Sequence, residues 1–149
     1  MEYSAVSVYA RNLKLAAYQS VVAHGGVAQE DPHRLVLMLL DGALERLVLA
    51  RGCVERHGKG DIAKKAQLLT DCMHIVGELR GSLNLPDGGA LAQNLSDLYD
   101  YMLRQLLRAN ADNDRERIRE VGALLSEIRG AWVAIAPELH HGALAARRS

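Results

Sequence analysis

The chain has 149 residues, 18 basic and 18 acidic side chains, a formal net charge of zero, 4% aromatic residues and no Phe. That length fits one domain with a real core, and the even charge balance counts against a nucleic-acid binder, which carries a basic excess. The longest apolar run, six residues, falls far short of the roughly 20 a membrane-spanning helix needs, and no charged–apolar–small leader opens the chain, so a cytoplasmic protein without membrane insertion is expected.

Within the N-terminal segment 1–31, residues 3–23 carry a diluted helical pattern in which Tyr3, Val6, Val8, Leu13, Leu15, Ala17, Tyr18, Val21 and Val22 scatter among Ser4, Ser7 and Asn12. A flexible start, a short helix near 12–23 packing as a cap, and a linker from Gly25 to Asp31 are expected. Pro32 then begins the most informative stretch. Asp31 offers an N-cap oxygen and Pro32 suits the first helical position. Six apolar residues follow, Leu35 to Leu40, where a surface helix needs a stripe and not a girdle. Asp41-Gly42 interrupts this helix with two poor helix formers, as a sequence does where something comes close to the backbone. The helix runs to about His57, and Gly58-Lys59-Gly60 closes it.

Asp61 is expected to cap a second helix with Ile62, Ala66, Leu69, Met73, Val76 and Leu83 at heptad spacing and Arg80 breaking it. Leu85-Pro86-Asp87-Gly88-Gly89 reads as the stop. A third helix spans about 89–110, with Leu91, Leu95, Leu98, Met102, Leu106 and Ala109 on one side. Asn113 and Glu116 form a capping-box variant. The last helix has the cleanest seam, Ile118, Val121, Leu125, Ile128, Trp132 and Ile135, and Pro137 is expected to end it before a disordered tail, 138–149. Four long helices joined by short turns run antiparallel, and spacing near 3.5 residues gives shallow crossing angles. The fold class is therefore all-α: an antiparallel up-down-up-down four-helix bundle over 32–137, with the N-terminal helix as a cap. Strand signals are absent.

Chemistry-bearing motifs are weak. Gly52 to Lys59 has five residues between its glycines and Gly60 after the Lys, where a phosphate loop needs four and a Ser or Thr. A di-iron bundle needs two Glu-x-x-His motifs, and the one near-match, Glu138-Leu139-His140-His141, follows Pro137. Cys53 and Cys72 sit in apolar patterns and read as reduced core residues. In a hairpin folded near residue 59 they lie roughly 10 Å apart along the axis. His74 reads as a core or boundary residue. The expectation is a non-catalytic protein with no metal and no cofactor. What remains is surplus apolar surface at Leu35–Leu40 and along Leu98-Tyr99, Tyr101-Met102-Leu103 and Leu106-Leu107. Either the N-terminal helix covers it, or it forms a groove for a partner's helix or extended chain.

At these residues the chain resembles the flagellar secretion chaperone FliS family. The matching pieces are Ala17-Tyr18-Gln19, Pro32-x-x-Leu35, Met38-Leu39-Leu40-Asp41-Gly42-Ala43-Leu44, Glu78-Leu79 with Ser82-Leu83, Asn94-Leu95 with Leu98-Tyr99-Asp100-Tyr101-Met102, Ala109-Asn110 and Ala131-Trp132, in the family order over about 17–135. Leu40 stands where the family usually has Tyr, and Asp31 where it usually has Ser or Ala. The resemblance implies an export chaperone that binds the disordered C-terminal segment of flagellin, blocks premature assembly and aids delivery to the flagellar type III export gate. It implies a flagellin groove of Tyr18, Val21, Leu35, Met38, Leu39, Asp41, Gly42, Asn94, Leu98, Tyr99, Tyr101, Met102 and Asn110. Asp41, Asn94 and Asn110 are candidate polar anchors, with a solvated or bundle-internal polar residue the equal alternative for each, and Tyr18 is expected to be part of a displaceable cover. The free protein is expected to be a monomer or weak homodimer. The alternative is a helical adaptor for a folded partner, or a homodimer burying the same surface.

Overall fold

Pro32 opens the first helix, α1 (Pro32–Arg56), which continues without a break through Asp41-Gly42. The structure, a computed structural model, describes residues 32–83 and 85–148, with side chains from His33 to Ala134 apart from Asn84. The expected N-terminal cap and linker, with Tyr18 and Val21, lie outside the described residues. Three further helices follow: α2 (Asp61–Gly81), α3 (Leu85–Asp112) and α4 (Arg115–Arg148). Among the described residues every regular element is a helix, and none is long and apolar enough to cross a membrane.

The helices form a closed square. α1 packs on α2 and α4, and α3 packs on the same two, while the diagonal pairs form no seam. This is the antiparallel up-down-up-down bundle that the helix lengths and short turns require. Its centre is filled by Leu40, Leu69, Leu79, Tyr99, Met102, Leu106, Ile118, Leu125 and Trp132, each at most 2% exposed. Burying a Leu-sized side chain contributes about 1.5–3 kcal/mol. Cys53 and Cys72 are both buried and free. Burial pushes the Cys72 thiol up to about 12.

The turns differ from the sequence expectation in their chemistry. Gly60 precedes α2, and Asp61 makes no N-cap bond onto its own helix. Instead Asp61 Oδ2 accepts the Gly58 N–H at 2.8 Å and Oδ1 accepts from Arg56, tying the end of α1 to the start of α2. The α3–α4 turn uses Asn113 as its left-handed residue, φ 52, and Asp114 as the cap. Asp114 Oδ1 accepts the Glu116 and Arg117 N–H groups at 3.1 and 3.2 Å. α2 stops at Gly81, capped by Ser82, earlier than the Pro-Gly cluster predicts. Residues 85–88 already form a helical turn, and the chain bends at Gly89, φ 62 and ψ −150, a conformation open essentially to glycine. α4 runs through Pro137 to Arg148, so the expected stop at Pro137 is corrected. Proline there removes the hydrogen bond to the Val133 carbonyl, but the alanine- and leucine-rich flanks are strong helix formers.

Two helices are also rotated from the heptad reading. The buried face of α2 is Lys65, Leu69, Cys72, Val76 and Leu79, not the stripe through Ile62 and Met73; Ile62 is 61% exposed. In α3 the buried positions are Gly88, Ala92, Ser96, Tyr99, Met102, Gln105, Leu106 and Ala109. Leu95 and Leu98 are only partly buried against the core. The α2–α3 seam accounts for both shifts. Lys65 Nζ donates to the Asn110 carbonyl at 2.8 Å and to Asn113 Oδ1, while Arg80 donates to Ser96 Oγ at 3.4 Å and to the Asp100 carboxylate at 3.2 Å. Ser96 faces α2 through the Arg80 bond and Ala92, one turn before it, is fully buried, so the leucine stripe lies outside this seam.

Candidate functional site: apolar surface on both sides of the last helix

The outward turn of α3 leaves its leucines beside α4. Two polar contacts fix the register of this seam near its turn: the Tyr101 hydroxyl donates to Glu120 Oε1 and Arg117 Nη1 donates to Gln105 Oε1. The same antiparallel register sets Leu98 level with Leu124 and Leu95 within two residues of Ile128. All four are partly buried hydrophobics packed against the core. The result is an apolar strip along α3 and α4 that starts beside the Tyr101–Glu120 bond. That bond, with burial second, raises the Tyr101 phenol above its usual value, so the hydroxyl stays a donor near neutral pH.

On the other side of α4 a groove of about 280 Å³ separates it from α1. Leu44, Leu47 and Val48 line it from α1, and Ile118, Gly122 and Ala123 from α4, with Arg51, Arg119 and Ser126 on the rim. Glycine at 122 leaves the floor open: a Cβ there would have Leu47 Cδ1 at 3.9 Å as its nearest neighbour. Ion pairs bound the groove at both ends. Arg115 meets Glu55 at 2.8 Å, and Arg129 Nε donates to Asp41 Oδ1, a bond that raises the Arg129 pKa further. Beyond Asp41, Trp132 Nε1 donates to the His33 carbonyl at 2.8 Å and His33 Nε2 meets the Trp132 carbonyl at 2.7 Å. Their rings stack with centroids 4.8 Å apart.

The residues named from sequence do not form one groove. Leu35, Met38, Leu39, Asp41 and Gly42 belong to α1, while Asn94, Leu98, Tyr99, Tyr101, Met102 and Asn110 belong to α3, diagonally across the bundle. Leu35, Leu39, Tyr99 and Met102 are core. Met38 is 49% exposed, Asp41 and Asn94 face solvent, and Leu98, Tyr101, Gly42 and Asn110 are half-buried. Asp41 is engaged by Arg129, and the Asn110 carbonyl by Lys65. At Gly42 a Cβ would meet Arg46 Nη1 at 3.2 Å and Ile75 of α2 at 3.6 Å, with Arg46 also donating to the Gly42 carbonyl at 3.0 Å. The close approach read at Gly42 is therefore made by α2 and by an arginine of the same helix. The sequence reading missed α4 as the shared wall, including Glu120, Leu124 and Arg129, and the groove through Leu44, Val48 and Gly122. Paired apolar residues at Leu47-Val48 and Leu124-Leu125 carry that signal, since one seam needs only one of each.

The family model described as "Flagellar protein FliS" matches residues 14–139. The chain belongs to the FliS family. It is 42% identical to the flagellar secretion chaperone FliS of Salmonella typhimurium over 125 residues, 83% of this chain and 90% of that protein. It is 42% identical to the flagellar secretion chaperone FliSB of Pseudomonas aeruginosa over 118 residues, 79% and 91% of the two chains. The Bacillus subtilis FliS is 34% identical over 116 residues, 78% and 80%. The family's Asp-Gly-Ala piece lies on α1 and its Leu-Tyr-Asp-Tyr-Met piece on α3. Each presents one buried flank to the core and one flank outward. Leu40, at the position where Tyr is usual in the FliS family, is 0% exposed and fills the core without needing a polar partner.

Proposed function

We propose that this chain is a cytoplasmic export chaperone that holds the C-terminal segment of flagellin one-to-one, prevents its premature assembly and aids its delivery to the flagellar type III export gate. The relatives' names, flagellar secretion chaperone, support the class. The observation that carries the reading to a disordered apolar client is the α3–α4 strip. The fold spends small residues on the α2–α3 seam and leaves Leu95, Leu98, Leu124 and Ile128 half-covered at the surface. A disordered client must recover several kcal/mol of ordering cost when it folds on binding, and a long apolar track with occasional polar anchors supplies that. Tyr101 and Glu120 are the polar groups at one end of the strip. Covering flagellin's own apolar face on such a track removes the surface by which subunits associate.

The test is calorimetric titration of the full chain with a flagellin C-terminal peptide. One-to-one binding is expected, with Leu98→Glu and Leu124→Glu together weakening it at least tenfold, about 1.4 kcal/mol, at unchanged helical circular dichroism. No binding by the peptide sinks the reading, and binding of a folded partner instead would favour the adaptor alternative.

A further inference from the structure

We infer that the α1–α4 groove is a second docking site, one that takes about two turns of an amphipathic helix whose apolar stripe is flanked by carboxylates. The groove's ends are set by the Asp41–Arg129 and Glu55–Arg115 pairs. Between them the lining runs from Leu44 to Arg51 on α1 and from Ile118 to Ser126 on α4, about 10–12 Å of helix, room to seat about two turns of a docked helix. The floor is apolar, formed by Leu47, Ile118 and the bare backbone of Gly122, so a ridge of a third helix can lie in it. Val48, 70% exposed at its edge, gains cover from such an occupant.

Charge selects the occupant. The groove's lining contains two guanidinium groups, Arg51 and Arg119, and no carboxylate. Each is tied to a glutamate of its own helix, Arg51 to Glu55 at 3.8 Å and Arg119 to Glu116 at 3.0 Å, and all four side chains are more than 40% exposed. Exposed pairs of this kind contribute little, so either arginine can turn to an incoming carboxylate at small loss and bind it through its planar fork. A lysine-flanked helix would meet two like charges. The partner segment is therefore an acidic amphipathic helix of another protein, docked on the face of α4 opposite the α3–α4 strip.

The probe is a capped, fluorescein-labelled 15-residue peptide with leucines at helical spacing and glutamates on both flanks, compared by anisotropy with the same peptide carrying lysines. The glutamate peptide is expected to bind the full chain at least tenfold more tightly than the lysine peptide. Arg51→Glu with Arg119→Glu should reverse that order, and both sites are exposed enough to leave folding intact. Gly122→Leu should fill the groove and cut glutamate-peptide binding at least tenfold, with flagellin-peptide titration unchanged. Equal binding of the two peptides, no binding of the glutamate peptide, or no response to these variants overturns the proposal. So does displacement by the flagellin C-terminal peptide, which would make the groove part of that surface, and so does a concentration-dependent dimer abolished by Gly122→Leu, which would make a second copy the occupant. Failure of the acidic peptide leaves the flagellin titration standing, so the two readings fail separately.

Discussion

Lys65 is a buried cation, 3% exposed, in a position that the heptad reading gives to solvent. Its ammonium sits at the C-terminal end of α3, donating to the Asn110 carbonyl and to Asn113 Oδ1. Unsatisfied carbonyls and the negative end of the helix dipole make that the favourable end for a positive charge. Lys65→Met keeps the stem and removes the donors, so the charge-assisted bond to the carbonyl of half-buried Asn110 is lost, while exposed Asn113 turns to water. A loss of about 1–3 kcal/mol is expected, read from the urea midpoint; an unchanged midpoint would mean the ammonium contributes nothing. Tyr101 gives a pH signature. Its folded pKa is raised above the ordinary 10.0, chiefly by the bond to Glu120. A raised value means the contribution is full below pH 10 and is lost as pH climbs through the folded value. Above pH 10 the wild-type chain should therefore lose stability more steeply than Tyr101→Phe, measured by denaturation at stepped pH. Parallel curves would show that the bond carries no linkage.

At the scale of the element, glycines separate into those the backbone requires and those it tolerates. Gly89, φ 62 and ψ −150, allows α3 to bend after its first turn, and Gly89→Ala should cost about 1–3 kcal/mol because other residues are strained there. Gly77 lies inside α2 with nothing within 4 Å of an added Cβ, so Gly77→Ala should stabilise by about 0.5–1 kcal/mol. Chemical denaturation of the two variants side by side checks the pair, and a shift of the same sign in both would contradict it. The rotation of α3 belongs to this scale too. Leucines at 91, 95 and 98 have the spacing of a core stripe, and periodicity alone ranks them above Ala92 and Ser96. The seam with α2 inverts that ranking, because Arg80 needs Ser96 and Asp100 within reach.

In the whole molecule α4 is the wall shared by the strip and the groove, and Trp132 anchors it to the start of α1. Its indole is 2% exposed, donates to the His33 carbonyl and stacks on the His33 ring. Trp132→Ala should cost about 3–5 kcal/mol, the usual range for deleting a buried aromatic. The exposed Asp41–Arg129 pair at the same seam should matter far less: Asp41→Asn should barely move the melting temperature, and so should raising the salt. Thermal melts of both variants decide this, and comparable losses would place the seam's strength in charge instead of packing.

The sequence by itself determined the helical class, the four helices, the positions of the turns to within a few residues and, through its resemblance, the family, because apolar periodicity, Pro, Gly and Asp are local signals read one element at a time. It also marked Ile118, Val121, Leu125 and Trp132 as the inward seam of the last helix, where the heptad spacing leaves a single choice of face. Only the tertiary structure decided which flank of α3 faces inward, that Lys65 and Ser96 occupy buried positions, and that Asp114 caps α4. It alone placed the surface of α1 and that of α3 on opposite corners of the bundle, with α4 joining them. Apart from the local Asp114 cap, those outcomes depend on groups 16 to 88 positions apart in the chain, such as Arg80 with Ser96, Lys65 with the Asn110 carbonyl and Asp41 with Arg129, and a local pattern carries no information on which distant partner a polar group will meet.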